Sequence, residues 1–116
     1  MLNQRLSAAK AVAAELFPAE LDLDNAILRA SRLTIAVVEG RRSAKLPITA
    51  GQSGLALVAL ASSKLIEARA AMGAAHLAFR DTQMEIGLRA VGLGDLWECP
   101  KPSAETGYWG DVAKAA

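Results

Sequence analysis

His76 and Cys99 are the single histidine and single cysteine of the 116-residue chain. A protein-built metal site needs several clustered His, Cys or carboxylate ligands, and the E-x-x-H pairs of di-iron helical bundles are absent. Nucleophilic catalysis needs a Ser, Cys or Lys held beside a base. Cys99 and His76 are the one conceivable Cys–His pair, but the end of a helix separates them and no feature of the sequence draws them together. Cys99 therefore reads as an incidental thiol. As a lone cysteine it excludes an internal disulfide and fits a reducing compartment.

Asp81 and Glu85 lie four residues apart, the spacing of one helical turn. They share a face with Lys64 and Glu67, so the natural reading is a solvated surface with an i,i+3 ion pair rather than an acid–base couple. The stretch "TAGQSG" has the glycines of a phosphate cradle but lacks the preceding strand and the terminal lysine. No catalytic, cofactor or metal site is expected. Arg41, Arg42 and Lys45 precede a helix N-terminus, where backbone amides can hold an anion, and they form the candidate anion contact. The net charge of +1 argues against a general nucleic-acid surface, which needs a concentrated excess of Lys and Arg. His76, Arg80 and Gln83 flank an apolar line and read as residues that set helix pairing.

Trp97, Tyr108 and Trp109 form the other unusual cluster. They lie in "VGLGDLWECPKPSAETGYWGDV", whose prolines favour an extended segment. Large amphipathic rings are typical anchors at interfaces. This aromatic tail, residues 94–116, is expected either to fold back over the helical layer or to dock a partner protein.

The elements that must position these residues are helices. Alanine, the best helix former, supplies 25 of the 116 residues, and no segment alternates polar and apolar over strand length. The expected fold is all-α, with a helical domain over residues 1–93. Helix one is expected at about 3–17, where Leu2, Leu6, Ala9, Ala13 and Leu16 share a face and Pro18 ends it. Helix two is expected at about 25–39, capped by Asp24 and closed by Gly40, with Ile27, Ser31, Thr34 and Val38 along its buried line. Thr49 to Gln52 reads as a capping box that opens a long third helix at about 50–90, stopped by Gly92 and Gly94.

The long helix carries the most regular pattern. Val58, Leu65, Met72, Phe79 and Ile86 lie seven residues apart, and Ala61, Ala68, Ala75 and Thr82 follow three positions after each. That spacing is a heptad seam with large residues at one position and small ones at the other. Two short helices cannot cover one long helix, so a second copy of the chain is the expected cover: a homodimeric bundle of coiled-coil-like helices. The longest uncharged run, 46–63, contains proline and small polar residues and is too broken to span a bilayer. No secretory signal pattern is present near Met1, and a soluble, cytoplasmic chain is expected. The expected function is a small protein-interaction module: an adaptor, regulator or assembly component. The alternatives are a regulatory module that binds a ligand in the dimer groove and a nucleic-acid-associated protein that uses the basic loop.

Overall fold

A computed structural model describes residues 2–88. It contains two helices joined by a short loop: α1, Leu2–Ser43, and α2, Gln52–Glu85. The helices pack against each other as an antiparallel hairpin, so Glu20 meets His76 and Arg5 reaches the carbonyl of Ile86. At 1.5 Å per residue α1 is roughly 63 Å long, close to the 66 Å longest dimension of the molecule.

The two expected short helices are one. α1 runs straight through Pro18 and Asp24. A proline inside a helix removes one amide donor and crowds the carbonyl four residues back, at a cost of about 3 kcal/mol. Here both Pro18 and Ala14, whose carbonyl loses its partner, are exposed. Water can satisfy that carbonyl, so the residual cost is steric. Continuing the helix carries the Leu6, Ala9, Ala13, Leu16 face onward in three- and four-residue steps through Glu20, Leu23, Ile27 and Ala30, and two turns later to Val37. All of these are at least half-buried against α2 or close to it. Ser31, Thr34 and Val38 are consequently turned outward, contrary to the buried line expected for an independent second helix, and Leu28 and Ile35 are exposed beside them. Ser31 and Thr34 return their hydroxyl protons to the carbonyls of Ile27 and Ala30. Asp24 caps nothing; it sits mid-helix and pairs with Arg69.

Gly40 also lies inside α1. The helix ends at Ser43, one residue after the basic pair, and is followed by a left-handed turn at Lys45 with φ 56°. The Leu46 amide donates to the Arg41 carbonyl and the Lys45 amide to that of Arg42, the paired bonds of a Schellman cap. The expected capping box does not form. α2 begins at Gln52 behind Gly51, which takes φ 79° with no side-chain cap. The backbone amide of Gln52 instead donates to the Thr49 carbonyl in the loop. A Cβ on Gly51 would lie 3.2 Å from the Val37 side chain, so this glycine is fixed by both its dihedral and its neighbour.

α2 stops earlier than Gly92. Gly87 takes φ 87°, and the Leu88 and Gly87 amides donate to the carbonyls of Gln83 and Met84. This second Schellman cap tucks Leu88 inside at 1% exposure. Leu16 and Leu88 are the buried hydrophobic residues among those described. None of the described helices is long and apolar enough to cross a membrane.

Candidate functional site

The heptad residues of α2 meet α1 with a different companion line from the one expected. Val58, Leu65, Met72 and Ile86 are half-buried, while Phe79 remains 47% exposed. Ala61, Ala68 and Thr82 are exposed and Ala75 alone of that line is half-buried, whereas Leu55, Ser62, His76 and Gln83, three positions before large residues, are turned inward; Arg69, in the same relation to Met72, is exposed. At the level of Val58 the choice follows from the small residue on the other flank. Burying Leu55 excludes more apolar surface than burying Ala61, and apolar area sets the driving force. Its consequence is that His76 is brought into the interface between the helices.

Across from His76 on α1 stands Glu20, which continues the apolar line after Leu16. The imidazole Nδ1–H donates to the Glu20 Oε1 at 2.7 Å, with His76 at 5% exposure and the carboxylate partly open. One turn further along, Arg69 Nε–H donates to Asp24 Oδ1 at 2.6 Å in an exposed pair. Between these two bridges lies a cleft of about 210 Å³. Leu23, Met72 and the bare backbone of Gly73 complete its lining. A Cβ added at Gly73 would meet nothing within 4 Å, so the cleft is open above that residue.

Chemically, a carboxylate that orients an imidazole is half of a proton-transfer arrangement. Among the described residues, no hydroxyl or thiol side chain lines the cleft to be activated. What the seven residues do provide is an apolar floor between two cross-helix polar bridges, suited to receiving an apolar group with a polar edge. Among the described residues no group of three or more His, Cys, Asp or Glu is placed to hold a metal ion.

The basic segment is partly occupied by structural work. The Arg41 guanidinium donates to the Leu46 carbonyl at 3.1 Å, and Arg41 and Arg42 stand in the last turn of α1, where cations complement the helix dipole. Lys45 is the capping residue itself. Asp81 and Glu85 are exposed, and Lys64 and Glu67 form an exposed pair at 3.7 Å. Trp97, Cys99, Tyr108 and Trp109 lie outside the described residues. The Glu20–His76 bridge was the pairing missed from the sequence. Its signal was a glutamate falling on the apolar phase of Leu6, Ala13 and Ile27, visible only if Pro18 does not interrupt that phase.

Comparisons with protein-family models, with curated proteins and with solved structures found no match to this chain.

Proposed function

We propose that the chain is a helical protein-interaction module that works as a homodimer. The observation that supports this reading is the thinness of the hairpin. Leu21, Leu28, Leu33 and Ile35 on α1 and Leu60, Ile66 and Phe79 on α2 are about half-exposed or more, with little buried between the helices in return. Two helices in one layer cannot enclose a core, and apolar area of this extent is covered by another surface. Association of two hairpins gives four helices around a shared core. The aromatic positions Trp97, Tyr108 and Trp109 then serve as anchors for a further protein, which makes the dimer an adaptor or assembly component.

Light scattering coupled to size exclusion tests the reading. The full chain should give twice its 12.1 kDa mass at micromolar concentration. A monomer with full helicity overturns it. The cleft beside Gly73 favours a second reading, a ligand-binding regulatory module, in which a small molecule retained through purification would be displaced by Gly73→Trp.

A further inference from the structure

The self-association reading leaves open which face is used, and the proposal here rests on that reading. The two sides of the hairpin differ in charge. One side of α1, next to its packing line, presents Leu21, Leu28, Ile35 and Val38, with Asp24 the charge on its inner edge and Arg32, four residues after Leu28, on its outer edge. That carboxylate is already paired with Arg69. The matching side of α2 presents Ala56, Ala59, Ser63, Ile66, Ala70 and Gly73, and its one charge, Arg69, is the partner of Asp24. Asp24 and Gly73 both line the cleft, which shows that these two stripes lie on the same face of the hairpin. The opposite face carries Glu15, Asp22 and Arg29 on α1 and Lys64 and Glu85 on α2.

The register along the face follows from the bridges. Glu20 is level with His76 and Asp24 with Arg69. The seven-residue repeat carries that alignment along both helices, so Leu21, Leu28 and Ile35 lie level with Gly73, Ile66 and Ala59. A twofold axis parallel to the helices preserves height while placing α1 of one copy over α2 of the other. Leu21 of each copy then stands over Gly73 of the other, Leu28 over Ile66, and Ile35 over Ala59. Large side chains meet small ones at two of the three levels, and every neighbouring pair of helices is antiparallel. An axis across the helices would instead set the large stripe of α1 against itself.

We infer that this face is the surface on which a second copy of the chain docks, with Leu21 of each copy seated in the other's cleft above Gly73. The open space above Gly73 and the apolar floor of Leu23 and Met72 fit a leucine side chain. Positions 17–38 span about 32 Å of helix, and two helices side by side are about 20 Å wide at an interaxial distance of 8–10 Å. The face therefore offers roughly 600 Å² per copy, which places the pair at the low end of the 1,200–2,000 Å² of specific interfaces.

The test is the mass of the full chain and three variants by sedimentation equilibrium, with circular dichroism on each sample. Gly73→Trp fills the cleft, and Leu28→Glu puts a charge at the centre of the face. Both should lower the mass from the dimer to the single chain while helicity is retained. Leu57→Glu, on an exposed site of the opposite face, should leave the dimer intact. If Gly73→Trp alone loses helicity, Leu28→Glu decides: a helical monomer supports the face, and a dimer overturns it. Dimeric wild type with dimeric Gly73→Trp and Leu28→Glu overturns the face and leaves self-association standing. A monomeric wild type overturns both.

Discussion

Glu20 and His76, 56 residues apart in sequence, bond side chain to side chain at 2.7 Å and tie the middle of α1 to the C-terminal third of α2. Their neighbours Asp24 and Arg69 do the same at 2.6 Å but in solvent, at 49% and 61% side-chain exposure. The contrast in burial sets the contrast in energy. Removing one partner of a buried hydrogen bond leaves the other desolvated and unsatisfied, at a cost of about 1–3 kcal/mol. An exposed ion pair contributes about 0–1 kcal/mol. Glu20→Ala is therefore expected to lower the urea-unfolding free energy several times more than Asp24→Ala. Glu20→Gln, which keeps an acceptor, should fall between them. Equal losses would mean that the buried bridge does not set the hairpin's stability.

Pro18 is tolerated rather than required. Replacing it with alanine restores the amide donor to the exposed Ala14 carbonyl and relieves the ring clash, and Pro is about 3 kcal/mol worse than Ala inside a helix. Pro18→Ala should raise the thermal midpoint without changing the mass in solution. A fall in the midpoint would show that the proline stabilises a bend the hairpin needs.

The two ends of the connecting loop make opposite demands on the same backbone region. Lys45 adopts a left-handed conformation without being glycine, and Gly51 adopts one with Val37 against it. The left-handed region costs a non-glycine residue about 1–2 kcal/mol. Lys45→Gly should thus stabilise the hairpin by up to that amount, and Gly51→Ala should destabilise it by at least as much. Chemical denaturation of the two variants reads both signs.

Met72 lines the cleft between the carboxylates of Glu20 and Asp24. Met72→Asp adds a third negative charge to a half-buried position, where an unpaired charge is expensive. Loss of folding, of the proposed dimer or of both is expected. Glu67→Ala, in an exposed pair with Lys64, should shift stability by no more than about 0.5 kcal/mol. Comparable tolerance of the two changes would show that α2 is turned the other way.

The helical class was legible from alanine content and the lack of alternation, and the body of α2 from the uninterrupted Val58-to-Ile86 repeat. The boundaries were not, because each local signal had a tertiary competitor. Pro18 stops an isolated helix, but here its orphaned carbonyl faces water while Leu16 and Leu23 on either side pack on α2. Asp24 is a good cap for free amides, yet Arg69 offers it a charge. Thr49 and Gln52 have the spacing of a capping box, but the tight turn at Gly51 starts the helix two residues later. Gly87, which ends α2, had no local mark to separate it from Gly73, which does not. The interior position of His76 was hidden because the choice between Ala61 and Leu55 as companions to Val58 depends on the partner helix.

The loop between Lys45 and Gly51 has a kinetic consequence. Contacts beside it join residues close in sequence, such as Val37 and Gly51, whereas the far end joins Arg5 to Ile86 across 81 residues. Closing a short loop is entropically cheaper than closing a long one. The cheapest route into this hairpin is therefore nucleation at the turn, followed by pairing of the helices turn by turn toward the termini. Each step then adds only local closure, the regime in which helical proteins fold on microsecond-to-millisecond times. Opening runs the same path backward. Amide protons in the first turns of α1 should exchange sooner than those around Val37 and Val58.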